Sequence, residues 1–112
     1  MSFHDLHWSP SEKKVARRAF DAALESALTK VMAEFKVKAS AATTPSEMWE
    51  IEDYLRRQRR EIDETFDYRY SQLIFVFARL IREGYLDEDI LAGLAEEKRE
   101  LIRSFLAYAS KG

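Results

Sequence analysis

From position 9 to about position 38, Phe20, Leu24, Ala27, Val31 and Phe35 recur at steps of three and four, which gathers them into one apolar stripe, with charged residues on the opposite face. This pattern predicts an amphipathic helix. Its start is written in Ser9-Pro10-Ser11-Glu12: Ser9 can cap, Pro10 suits the first helical position, and Glu12 can complete a capping box.

The same start chemistry returns at Thr44-Pro45-Ser46-Glu47, after the small-residue segment Ala39-Ser40-Ala41-Ala42-Thr43. No glycine or proline then interrupts the chain until Gly84, a natural left-handed C-terminal cap. The expectation is one long second helix. If continuous it would extend roughly 55–60 Å, whereas a compact globule of this chain length is only about 35 Å across. Its broken stripe, Met48, Ile51, Leu55, Ile62, Phe66, Leu73, Phe77 and Leu80, therefore needs a partner helix, and self-association supplies one.

Beyond Gly84, Asp87 can cap a third helix whose first turn, Glu88-Asp89, is acidic as the helix dipole favours. Leu91, Leu94, Leu101, Phe105 and Tyr108 form its stripe. Leu73-Ile74-Phe75-Val76-Phe77 is apolar all round, so the third helix should cover it on one side. The fold class expected is all-α: long antiparallel helices forming a homodimer, with a compact helical head at the C-terminal end. Residues 1–8 are expected to be a flexible N-terminus, and residues 9–112 a single helical domain.

Composition narrows the function. The chain has 112 residues, a usual size for one domain, with 34% charged and 46% apolar residues. The longest nearly apolar run, residues 73–78, is too short to cross a bilayer. The first residues lack the basic start and apolar core of a secretory signal. Without cysteine there is no disulfide framework, thiolate nucleophile or Cys-based metal site. A cytoplasmic location fits. Net charge is −2, from 18 basic and 20 acidic residues well mixed, which gives no general attraction to nucleic acid or anionic lipid.

Arg56-Arg57-Gln58-Arg59-Arg60 looks like a basic patch, but Glu52, Asp53, Asp63 and Glu64 each lie four residues from one of these arginines, so a helix would pair most of the charge. His4 and His7 precede the first helix, where nothing fixes metal geometry. Neither histidine has a nucleophile or orienting acid beside it in sequence, and no Gly-rich phosphate loop occurs. Asp63, Glu64 and Asp67 lack the Glu-x-x-His pairs of a di-metal bundle. The chain therefore reads as a binding protein, without catalytic residues, cofactor or metal. Phe66, Tyr68, Tyr70, Phe75 and Phe77 fit ordinary helix packing, with an interface as the alternative. Trp49 shares a helix face with Asp53 and, further on, Arg59-Arg60, a combination that can bury apolar area and fix register by charge; a partly exposed tryptophan capping a monomer core is the other reading.

Three segments carry a resemblance to a known family: Trp49-Glu50-Ile51-Glu52-Asp53-Tyr54-Leu55, Arg59-Arg60-Glu61-Ile62-Asp63, and Tyr70-Ser71-Gln72-Leu73-Ile74-Phe75-Val76-Phe77-Ala78-Arg79-Leu80 followed by Glu83-Gly84. The chain resembles the fluorescence recovery protein family of cyanobacterial photoprotection over roughly residues 9–106. The resemblance implies an all-helical homodimer that binds the C-terminal domain of photoactivated orange carotenoid protein and speeds its reversion to the orange form, ending phycobilisome quenching. It also implies dimer or partner contact at Trp49, Asp53 and Arg59, and a functional head position at Phe75; Arg60 joins this set by its place beside Arg59. Glu52 departs from the histidine expected before Asp53, and the Arg56-Arg57 stretch is richer in arginine. Relatives of the family also occur in bacteria without an orange carotenoid protein. The alternative is therefore a dimeric helical adaptor or signalling scaffold with an unrelated protein partner.

Overall fold

The computed structural model describes residues 3–111, with side chains described through Tyr108, and the helices it contains are α1 (Pro10–Ala41), α2 (Pro45–Thr65), α3 (Leu73–Arg82), a 3-10 turn (Glu88–Leu91) and α4 (Glu96–Lys111). No strand occurs among the described residues. The extents are 53 × 31 × 23 Å and the radius of gyration is 16.8 Å, against about 13 Å for a compact chain of this length. Two parts account for the elongation. An arm is made by the distal half of α1 and α2, and a head is made by the start of α1, α3, the 3-10 turn and α4.

The capping box at the start of α1 forms as expected: Ser9 Oγ accepts the Glu12 N–H at 3.2 Å, and the Ser9 N–H donates to Glu12 Oε1 at 3.0 Å. The helix ends at Ala41, past the expected Lys38. At α2 the Thr44 side chain accepts the Glu47 N–H at 3.2 Å, and the Glu47 carboxylate accepts the Thr43 and Thr44 hydroxyls at 3.2 and 3.0 Å. These bonds hold Glu47 below its usual pKa. Halfway along α2, the Tyr54 hydroxyl donates to Glu34 Oε2 at 2.5 Å and fastens the arm. Burial, then the Glu34 carboxylate, pushes the Tyr54 phenol up to about 12.

The single long second helix does not form. α2 stops at Thr65, and residues 66–72 cross over before α3 begins. Packing, not a breaker residue, ends it. Phe66 and Tyr68 turn edge-on to Phe20 of α1, with ring centroids 5.4 and 4.9 Å away, and Tyr70 sits 5.6 Å from Trp8. A straight helix would carry these rings along its axis and away from α1. The segment is also closed locally, by the Arg69 guanidinium on the Asp67 carboxylate at 2.8 and 3.0 Å.

α3 is the centre of the head. Leu73, Ile74, Phe77 and Leu80 are fully buried, with α4 as the main neighbour of the helix, as its all-round apolar pattern predicted. On the α1 side the core surface includes Ala16, Ala19 and Ala23, whose small side chains sit fully buried beside Phe20. Gly84 takes φ +83 and ends α3 in a Schellman motif, with the Gly84 N–H on Ile81 O at 3.0 Å and the Tyr85 N–H on Leu80 O at 2.9 Å.

The third helix is split. Asp87 caps only the short 3-10 turn, and α4 starts at Glu96. Between them Gly93 passes so close to α1 that a Cβ there would lie 2.6 Å from Val15 Cγ2. Leu91 and Leu94 are buried as expected, but Tyr108 stands in solvent and Ile102 takes the core position in α4. In the N-terminal segment Trp8 is buried, and Phe3 and Leu6 pack against the head core. Residues 1, 2 and 112 lie outside the described residues.

One buried ionic cluster ties the ends of the chain together. Lys98 Nζ lies 3.1 Å from Glu12 Oε2, donates to the His7 carbonyl at 2.5 Å and sits 5.0 Å from the Trp8 ring centre. Glu12 Oε2 also accepts the Ala95 N–H, at 2.9 Å, at the entrance to α4. Burial pushes the Glu12 pKa up, but the Ala95 and Ser9 N–H groups and Lys98 outweigh it and bring it down to about 2. A depressed carboxylate contributes its full stability above its unfolded pKa, so the head should lose stability as pH falls from about 4.5 towards 2. Glu12→Gln should cost about 3–5 kcal/mol at neutral pH by leaving Lys98 buried without its counter-charge. Lys98→Met in that background should recover much of the loss. Urea unfolding of the three variants checks both, and additive losses would show that the two side chains do not act as a pair.

Candidate functional site

Only Tyr54 and Thr65 are buried along α2, so most of this helix is surface. Trp49, Asp53 and Arg60 fall within about 40° of one another around the helix axis, on the side away from Tyr54, and span about 16 Å along it. Trp49 is 58% exposed, and Asp53, Arg59 and Arg60 are exposed as well. The helix thus brings Trp49, Asp53 and Arg60 onto one face. Arg59 lies about 80° round from Trp49, where it lines a groove with Leu28, Val31, Leu55, Ile62 and Asp63.

That groove belongs to an apolar flank running along both arm helices. Leu28, Met32, Phe35 and Met48 are 48%, 57%, 37% and 51% exposed. Towards the arm tip Phe35, Met48 and Ile51 line a second depression beside Pro45. The stripes of α1 and α2 therefore do not satisfy each other. Exposed apolar surface gathered in this way is the kind that protein interaction sites use.

The charges of α2 pair less than their spacing allows. Arg56 forms an ion pair with Glu52, whereas among the described residues Arg57, Arg59 and Arg60 have no carboxylate within ion-pair distance. Asp67 is engaged by Arg69, while Asp63 and Glu64 are exposed on α2. No three His, Cys, Asp or Glu side chains converge as a metal site among the described residues. His4 and His7 are both exposed.

Phe75 belongs to a different surface. It is half-buried on the head, 5.1 Å from Phe3 and 4.8 Å from Phe105 between ring centres, while Phe66, Tyr68 and Tyr70 form a separate group around Phe20 and Trp8, and Phe77 is fully buried. The five predicted positions thus divide into an arm face (Trp49, Asp53, Arg60), a groove edge (Arg59) and a head patch (Phe75). Phe3, which covers Phe75, was not among the predicted positions. A lone phenylalanine seven residues before a helix carries no periodicity that could have flagged it.

The profile described as photoprotection regulator fluorescence recovery protein matches residues 8–106. The fluorescence recovery protein of Synechocystis sp. is 35% identical over 97 residues, covering 87% of this chain and 89% of that protein. The solved structure of the Fremyella diplosiphon fluorescence recovery protein superposes with a TM-score of 0.84 at 36% identity, over 91% of this chain and 99% of that one. The Synechocystis sp PCC 6803 structure gives 0.85 at 35% identity with the same coverage.

The two tryptophans differ in a way that fluorescence reads directly, since Trp8 is 5% and Trp49 58% exposed. Trp49→Phe should shift emission to the blue and lower acrylamide quenching severalfold, with helicity unchanged. An unshifted spectrum would mean that Trp49 is covered in solution.

Proposed function

The chain belongs to the fluorescence recovery protein family of photoprotection regulators, and we propose that it works by binding, as a homodimer that engages the C-terminal domain of photoactivated orange carotenoid protein and accelerates its return to the inactive orange form. One observation carries this reading: the arm exposes an apolar flank, Leu28, Met32, Phe35 and Met48, directly beside a face bearing Trp49, Asp53 and Arg60. A second copy laid along the flank would bury what α1 and α2 leave open. Arg59, at the groove edge, would then sit at the rim of that contact. Trp49, Asp53 and Arg60 supply the aromatic anchor and charges that favour a specific partner.

The mechanism asks for no cofactor and no bond made or broken. Binding the final state more tightly shifts an equilibrium; a faster relaxation requires stabilising the arrangement between the two states. An elongated dimer with a head at each end can hold separated domains of its partner near each other and raise their effective concentration. The action is cytoplasmic, without nucleic acid or membrane insertion; no helix of the described residues is long and apolar enough to cross a membrane.

A second reading keeps the scaffold and changes the partner. It is favoured by the arm face itself, where Glu52 is engaged with Arg56 and the arginine-rich stretch adds unpaired charge next to Asp53. A dimeric adaptor for another protein would use the same surface.

The deciding measurement is the dark recovery of photoactivated orange carotenoid protein, followed by absorbance with and without this protein. Acceleration supports the first reading; no acceleration by a folded, dimeric sample rejects it in favour of the second. Trp49→Ala and Asp53→Leu should each weaken self-association or partner binding about tenfold, and Leu55→Glu should yield a monomer in sedimentation velocity. Unaltered association in all three variants would remove the arm from the site.

A further inference from the structure

Residues 3–7 lie across the head and are held very differently at their two ends. At one end the His7 carbonyl accepts from the buried Lys98 ammonium, and the next residue, Trp8, is in the core. Leu6, next along, also packs against the head core, and at the far end one ring and one backbone bond do the holding. Phe3 stacks on Phe75 at 5.1 Å, meets Phe105 edge-on at 6.1 Å, and donates its N–H to Ser71 O at 3.1 Å. Between the ends His4 and Asp5 are exposed, in a turn closed by the Leu6 N–H on Phe3 O at 3.4 Å. The segment is therefore pivoted at Trp8 and lightly latched at Phe3. Phe3 also lies before residue 8, where the family match begins.

We propose that residues 3–7 are a detachable strap occupying an apolar groove on the head floored by Phe75 and Phe105, and that the groove accepts an extended protein segment bringing an aromatic side chain and a backbone N–H for Ser71. The strap shows what the groove recognises, because it satisfies the groove with those two elements. An incoming segment must displace Phe3 to reach Phe75. The closed strap thus lowers the apparent affinity of the head by the fraction of time it is open. Only the identity of the displacing partner rests on the function proposed above.

The test uses the full chain with Phe3→Ala, and Phe3→Leu as a milder variant that keeps apolar volume. The probe is an end-capped synthetic peptide of residues 1–9, titrated while Phe75 ring signals are followed by NMR. Saturable shifts at about fivefold lower peptide concentration in Phe3→Ala than in the unmodified chain support the strap. No shift in the variant, or the same titration in both, overturns it. In a second arm, Phe3→Ala should bind the C-terminal domain of the orange carotenoid protein about fivefold tighter, with excess peptide reversing the gain; unchanged affinity overturns the gating. If neither protein binds that domain, the proposed function has failed, and the peptide titration alone decides the strap.

Discussion

The buried carboxylate of Glu12 is the point through which the ends of this chain meet. It completes the capping box of α1, takes the N–H at the entrance to α4, and neutralises Lys98, whose ammonium in turn holds the His7 carbonyl. Three backbone segments are thus registered by two charges. A buried pair of this kind is weak evidence for net stability, since matched apolar side chains can do as well, but removing one partner leaves an uncompensated charge. What the pair supplies is a single arrangement. The N-terminal segment, α1 and α4 can satisfy those groups together in one register only, and the aromatic and aliphatic core of the head is packed around it.

The arm obeys a different logic. It is fastened by Tyr54 on Glu34 and by Lys38 lying 4.8 Å from the Tyr54 ring centre, polar contacts that set the pairing of α1 and α2 without covering their stripes. Apolar area is left open on the flank, and two antiparallel helices cannot enclose it between themselves. The head buries most of its apolar side chains, and the arm leaves Leu28, Met32, Phe35 and Met48 exposed. This contrast explains why the radius of gyration exceeds the compact value, and why exposed apolar surface gathers on the arm.

Arm and head therefore present two kinds of surface. The arm presents a broad face with an exposed tryptophan and unpaired arginines, while the head presents an aromatic patch already occupied by the chain's own Phe3. On the function proposed above, separated contacts of unlike chemistry would be of use, because each can tighten at a different stage of a two-domain partner's rearrangement.

Much of this was legible in the sequence. Ser9 to Glu12 and Thr44 to Glu47 marked two helix starts, Gly84 marked a left-handed stop, and the all-round apolar residues 73–77 marked the centre of the head, because caps, glycine geometry and periodicity are local properties. The common face of Trp49, Asp53 and Arg60 followed from helical spacing, whereas Arg59, expected on the same face, lies about 80° round and lines the groove instead. Other features were decided only in three dimensions. α2 ends at Thr65 because Phe66, Tyr68 and Tyr70 gain more against Phe20 and Trp8 than along a helix axis, and no residue there announces a break. The third helix divides because Gly93 must pass Val15 and Ala95 must meet Glu12. Phe3 and Trp8 join the head, and Lys98 is buried, through contacts with residues far along the chain. Such contacts leave no period or motif in the sequence, so only the tertiary structure could assign them.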